Sequence, residues 1–302
     1  MTIARPLLSV VIPVFNHPKL LDRALHSLVE QNEKNFEVIV VDDGSTDDIK
    51  TIIDSYRKSL NLKFIQISNS GGPATPRNVG IEASIADWIS LLDADDWWAP
   101  NRISYMMKII KKISNYDVFY HRLSIVPEGR NLQWWSNKSL GFQILGNPFI
   151  GLMTMGDGLP NSSVIFRRAC YVEYGGFNQS LEYSSVEDYD YWLMLAMNGI
   201  KFYFVNKSLG FYWWSSGGIS ANPKLTIEKN KLILDRYMPN LATECIKNKA
   251  QSRFNYFAGS VLLNAGYSQE ALVYFLKATF LINVQMKLKR VFKIITILLR
   301  MG

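Results

Sequence analysis

The sequence is poor in cysteine. It has two in 302 residues, Cys170 and Cys245, too few for a disulfide framework and without metal-ligand spacing. That suits a reducing compartment. Long apolar runs are also missing, and none reaches the roughly 18 residues that argue for a spanning helix. The apolar stretch from Leu7 to Phe15 has no strong basic segment before it and no small-residue cleavage site after it. It breaks at Pro13 and Asn16, so a first strand is expected, not a secretory leader. The expected location is cytoplasmic, with peripheral attachment to the inner face of a membrane left open. Charge is present but not extreme. Charged residues make up 20%, apolar residues 48%, and the net charge is +7. This is an ordinary globular composition, compatible with anionic substrates, a membrane surface or nucleic acid.

The first hundred residues alternate between two periodicities. Leu8 to Phe15 is β-branched and nearly continuous in apolarity, as a strand covered on both faces should be. From Lys19, the apolar positions Leu20, Leu21, Ala24, Leu25 and Leu28 give a helix ending near Gln31. Phe36–Val41 predicts a second strand, 49–58 a second helix and Leu62–Ile67 a third strand. This β-α-β-α-β order implies a parallel, helix-covered sheet, whose ligands bind at the carboxyl ends of the strands.

Two acidic clusters fall at such ends. Asp42 and Asp43 follow the second strand, before Gly44. Asp93, Asp95 and Asp96 follow the apolar run Ile89–Leu92. Carboxylates two apart at a strand's end point the same way and can hold one hard cation, magnesium or manganese, beside phosphate oxygens. A solvated acidic turn is the competing reading of Asp93 to Asp96, and an Asx turn that of Asp42 and Asp43. Between the clusters, Gly71 and Gly72 precede a helix start near Pro73 to Arg77. A helix N-terminus with a nearby arginine offers a phosphate seat.

Four segments then stand in one order: Ser9 to Asn16, Val41 to Thr46, Ala74-x-x-Arg77-Asn78-x-Gly80, and Leu92 to Asp96. In order and spacing they resemble the family 2 glycosyltransferases over about residues 7–218. The resemblance implies an α/β GT-A fold, Rossmann-like, and an inverting enzyme using a nucleotide-sugar donor such as a UDP-sugar. Carried onto this chain, it puts Pro13, Phe15, Asp42, Asp43, Arg77, Asp93 and Ala94 around the nucleotide, with Phe15 against the base and Asp43 accepting from its imide. Asp95, with Asp93 beside it, would hold a divalent metal. Tyr174 to Phe177 followed by Glu187 and Asp188 resembles the family's second signature. It implies Asp188 as the general base, with Glu187 next in line. Where many relatives carry a histidine after the following strand, this chain has Ser215, and none of His17, His26 and His121 lies there.

The second half predicts a helix over 101–113, a strand over Asp117–Val126, an irregular stretch over Arg130–Asn161 and a strand over Asn161–Arg168. The aromatics Trp134, Trp135, Phe142 and Phe149 in the irregular stretch suit either sugar stacking or core packing. The expected division is a GT-A domain over 1–220, its nucleotide-binding half ending near 98, and an all-helical appendage over 221–302. There, Gly259, Gly266, Ala271, Phe275 and Ala278 fall at the spacing of one tetratricopeptide-like hairpin. Val284–Arg300 carries five cations and no acid, a basic amphipathic helix that either docks on the protein or lies on a membrane. The function expected is transfer of a sugar to a hydroxyl of a glycan or lipid-linked glycan. The rivals are a hydrolase built on Asp95 and Asp188, and a non-catalytic assembly protein with a relic nucleotide site. Nucleic-acid binding is not expected, because the basic residues are scattered until the tail.

Overall fold

The computed structural model describes residues 5–129, 138–215, 222–279 and 284–301. The chain divides into two compact units, 1–143 with 159–216, and 144–158 with 217–302. Trp134, Trp135 and the 216–220 segment lie outside the described residues.

The first unit is built on one mixed sheet of nine strands. The parallel part comes from β1 (Leu8–Val14), β2 (Phe36–Asp42), β3 (Leu62–Gln66) and β4 (Trp88–Leu91), ordered β3-β2-β1-β4. Every side chain of β1 and β2 is buried, which explains their unbroken apolarity. Pro13 sits inside β1 opposite Val41 and cannot donate to a ladder. It is tolerated because β4 pairs only with Ser9 to Val11, so the edge that Pro13 faces is already past the ladder. Helices α1 (Pro18–Val29), α2 (Ile49–Tyr56) and α3 (Ala74–Glu82) make the crossovers. Leu21, Ala24, Leu25 and Leu28 of α1 enter the core beside Leu8, Val10 and Ile12.

Beyond β4 the sheet is mixed. The two-residue β5 (Trp97–Trp98), α4 (Arg102–Lys112), β6 (Val118–Pro127), β7 (Ser139–Leu140), β8 (Ile165–Arg167) and β9 (Phe202–Trp214) extend the order as β4-β8-β6-β9-β5, with β7 on β6. Strand β8 is antiparallel to β4 and to β6, β6 and β9 run parallel, and β5 is antiparallel to β9. Two expectations are corrected here. Asn161–Arg168 is not one strand: Asn161–Ser163 forms a 3-10 turn, β8 has three residues, and a helix starts at Arg168. The stretch expected to be irregular contains α5 (Pro148–Met155), capped by the Asn147 carboxamide accepting from Ile150 N–H. Helices α6 (Arg168–Tyr174) and α7 (Glu187–Met197) complete the first unit.

The second unit is helical. It comprises α5, α8 (Pro223–Tyr237), α9 (Glu244–Asn264), α10 (Ser268–Lys277) and α11 (Val284–Met301). Thus 144–158, expected in the acceptor half, is grouped with the C-terminal helices. Helices α9 and α10 form a hairpin in which Gly259 meets the Phe275 ring, where a Cβ would come within 3.0 Å. Among the described residues, no helix is long and apolar enough to cross a membrane.

Candidate active site

The carboxyl ends of β1, β2 and β4 bring the first two signatures together. After β1, Asn16 and His17 both adopt positive φ. The Asn16 carboxamide oxygen accepts from the backbone N–H of Thr46 (2.9 Å) and Asp47 (3.2 Å), and Asn16 N–H donates to Ser45 Oγ (2.7 Å). These bonds clip the Phe15 turn to the loop after β2 and leave the Phe15 ring 47% exposed, available for stacking. Asn16 belongs to the first signature, but its clipping role depends on partners some 30 residues away and leaves no local trace in the sequence.

The two aspartates after β2 do different work. Asp42 is buried, accepting from Ser45 N–H (2.9 Å) and Gln66 Nε2 (3.1 Å), so it builds the turn over Gly44. Asp43 accepts from Ser70 N–H (2.8 Å) and fixes the loop that leads to α3.

Helix α3 carries the third signature against the sheet and across to α7. Asn78 exchanges two hydrogen bonds with the Phe177 backbone, both 2.8 Å. A Cβ on Gly176 would lie 2.3 Å from Asn78 Oδ1, which is why a glycine precedes Phe177. Arg77, expected on the nucleotide side, is buried. Its Nη2 donates to Asp93 Oδ1 (2.8 Å) and its Nη1 to Glu187 Oε1 (2.5 Å). Burial opposes its charge, but Asp93, Glu187 and Asp188 more than compensate and raise its pKa. One guanidinium therefore joins the fourth signature to the start of α7.

The acidic cluster itself is graded in access. Asp93 is held by Arg77, by Asn161 Nδ2 (3.2 Å) and through its own N–H to Ser162 Oγ (3.0 Å). Ala94 packs partly against the core. Asp95 is half-buried, and burial together with Asp93 pushes its carboxyl up to about 6 against the pull of Arg23 and His17. Asp96 is buried and accepts from Trp213 N–H (3.0 Å); burial, Asp95 and Asp93 hold its pKa well above the carboxylate range. Ser162, which no sequence signal marked, also accepts from the Trp98 indole through its carbonyl (2.8 Å). Arg23 lies 3.9 Å over the Trp97 ring and donates to the Asp95 carbonyl (2.6 Å).

Tyr212, near the end of β9, marks where these groups converge. Its hydroxyl is pushed up to about 12, first by burial and then by Asp96, Asp95, Asp93 and Asp188. Asp188 follows Glu187, which Arg77 ties to Asp93 of the acidic cluster. It is half-exposed in the first turn of α7, and its Oδ1 accepts from Tyr189 N–H (2.8 Å). Glu187 is buried beside it. Ser215 follows β9 by one residue.

Among the described residues, no three His, Cys, Asp or Glu side chains are grouped to hold a metal ion. The donor set still fits a hard divalent cation of the kind bound through one or two carboxylates plus substrate phosphates. The Asp95 carboxylate, raised by burial and then by Asp93, is the group that such a cation would relieve.

A parallel half-sheet with carboxylates gathered at its strand ends has the layout in which open α/β sheets bind ligands. The profile of glycosyl transferase family 2 matches residues 9–170, and the chain belongs to that family. An uncharacterised glycosyltransferase of Rickettsia typhi is 31% identical over 210 residues, covering 65% of this chain and 61% of that protein. The poly(ribitol-phosphate) β-N-acetylglucosaminyltransferase TarS of Staphylococcus aureus is 42% identical over 92 residues, 30% of this chain and 16% of TarS. The chain therefore spans only part of these relatives' lengths. Its fold is GT-A: the S. aureus TarS 1–349 structure in complex with UDP-GlcNAc superposes with TM-score 0.67 at 21% identity, covering 96% of this chain and 90% of that one. The mannosyltransferase PcManGT of Pyrobaculum calidifontis, in complex with GDP-Man and Mn2+, superposes with TM-score 0.62 at 17% identity, covering 94% and 78%.

Proposed function

We propose that the protein is an inverting glycosyltransferase that moves a sugar from a nucleotide diphosphate, a UDP-sugar in first place, to a hydroxyl of a glycan or lipid-linked glycan. The observation that carries this is the buried Arg77 guanidinium, which holds Asp93 (2.8 Å) on one side and Glu187 (2.5 Å), the residue before Asp188, on the other. It supports reading Asp188 as the base that works next to carboxylates at strand ends, where a diphosphate would lie. Phe15 offers a stacking face, and Asp43 borders the same strand ends. The solved relative with UDP-GlcNAc favours uridine, and the mannosyltransferase with GDP-Man keeps guanosine in the comparison.

In the reaction, Asp188 takes the proton of the acceptor hydroxyl as that oxygen bonds to the anomeric carbon. The bond from that carbon to the diphosphate oxygen breaks with its electron pair on the leaving group, in one in-line displacement. Asp188 is preferred to Glu187 because Glu187 is buried and its Oε1 is engaged by Arg77. Arg77 acts as a positioning residue that fixes Asp93 and Glu187 together. Asp95, with Asp93, would hold magnesium or manganese, which supplies charge neutralisation for the departing diphosphate. The protein would work on the cytoplasmic side, at a membrane face if the acceptor is lipid-linked.

The test is a thermal-shift panel of UDP, GDP, TDP and CDP, each with manganese, magnesium or a chelator. A metal-dependent shift with one nucleotide is expected, through preferential binding to the folded state. Asp188→Asn should keep that shift and lose about 10²–10⁴-fold in transfer. Ser215, in place of the family's histidine, favours a second reading: a non-catalytic assembly protein with a relic site. No shift with any nucleotide, or binding without turnover that Asp188→Asn leaves unaltered, would favour it.

A further inference from the structure

Helix α11 is docked by its polar side. On the side turned to the α9–α10 hairpin, Arg290 Nε donates to the Phe275 carbonyl (2.7 Å) and Lys293 Nζ to Ser260 Oγ (2.8 Å). The Lys293 ammonium also lies over the Tyr256 and Phe275 rings, at 5.0 and 5.3 Å. Ile297 is the apolar anchor there, fully buried. The apolar stripe of the same helix faces outward. Leu288, Val291, Phe292, Ile295 and Leu298 recur at helical spacing and are 49–71% exposed. Lys287 and Lys289 are exposed as well, and at about 100° per residue they fall on opposite borders of that stripe.

We propose that the outward face of α11 binds a membrane surface containing anionic phospholipid, the helix lying in the plane with its apolar stripe among the acyl chains. Lysines bordering an apolar stripe can bury their stems and hold their ammonium groups at the level of anionic headgroups. The helix carries cations along its length and is not among the segments able to cross a bilayer. A second copy is a poor occupant, because a self-paired face would set Lys287 and Lys289 against like charges with no acid in the helix to meet them. The inference rests on the transfer reading only for its purpose, which is to bring the first unit to a lipid-linked acceptor.

The experiment is co-sedimentation of the full chain with vesicles of phosphatidylcholine alone, and of phosphatidylcholine mixed with phosphatidylglycerol. The wild type should pellet with the mixed vesicles and far less with the neutral ones. Phe292→Ser with Ile295→Ser should weaken this by at least about tenfold. Lys287→Gln with Lys289→Gln should cost roughly fivefold per lysine. All four side chains point outward, so unchanged circular dichroism is expected. Absence of pelleting, equal pelleting with both vesicle types, or binding untouched by the serine pair would overturn the proposal. So would a dimer by light scattering that the serine pair dissolves, since a second copy would then own the face. The nucleotide shift is measured on the same samples. Vesicle binding without any nucleotide shift sinks the transfer reading alone, and the reverse sinks the membrane face alone.

Discussion

Arg77 decides whether the site holds together, because it is buried between two carboxylates from distant parts of the chain. Arg77→Ala would strand Glu187, itself 3% exposed, without a counter-charge. Removing one member of a buried pair costs about 3–5 kcal/mol. Chemical denaturation should show that loss, and Glu187→Gln added to Arg77→Ala should recover part of it; strictly additive losses would count against the pairing. A second buried group gives a pH effect. His121 Nε2 accepts from Arg102 Nε (3.1 Å), while Nδ1 meets the Arg122 carbonyl (2.8 Å) and so carries the proton. Burial first, then Arg102, depresses its pKa well below 6.5. Folded His121 therefore stays neutral where the unfolded chain takes up a proton. Stability falls as pH drops below about 6.5, at about 1.4 kcal/mol per pH unit, until the folded ring also titrates. His121→Gln keeps an acceptor and removes this slope, so the wild type should lose stability relative to the variant between about pH 7 and about pH 5. Parallel stability curves would show that His121 titrates normally.

At the scale of elements, the close seat of α3 on the sheet positions both Arg77 and Asn78. A Cβ on Gly80 would come within 2.4 Å of Val11 Cγ1 and 3.3 Å of Val41 Cγ2. Gly80→Ala should destabilise by about 1–3 kcal/mol through overpacking. Val11→Ala should relieve part of that in the double variant, and the measured coupling between the two checks the contact. The parallel strands and their helices were legible in the sequence because full burial and the 3.6-residue period leave direct traces in β1, β2 and α1. The cap of α5 was also present, with Asn147 before Pro148, but the surrounding glycines masked the period. Asn161–Ser163 was misread because its polar side chains serve the site: Ser162 binds Asp93 N–H rather than continuing a ladder. The pairing of Arg77 with Glu187 spans 110 positions, and no local pattern carries that information.

At the scale of the molecule, the chain enters the helical unit twice, first as 144–158 and then from 217 onward. Helix α5 packs there against α9, and its Phe149 ring meets Tyr237 of α8 edge-on at 6.1 Å. Gly156, at positive φ, ends α5 beneath Arg253 of α9, whose guanidinium would be 2.3 Å from an added Cβ. Cutting the chain after residue 221, before α8, would therefore not yield a clean first unit. It would leave Phe149, Leu152 and Met153 without α8 and α9, each side chain losing up to about 1.5–3 kcal/mol of burial. The truncated chain should bind a hydrophobic dye, melt earlier and aggregate. Replacing 144–158 by a short polar linker in the same truncation should lower dye binding and restore a soluble species, because it removes the stranded apolar helix along with its partners. A truncated chain that stays monomeric and melts at the full-length temperature would show that α5 draws its stability from the first unit instead. The family profile, which runs through α5 to residue 170, makes that contrast worth measuring, since α5 lies inside the matched segment yet packs with helices beyond it.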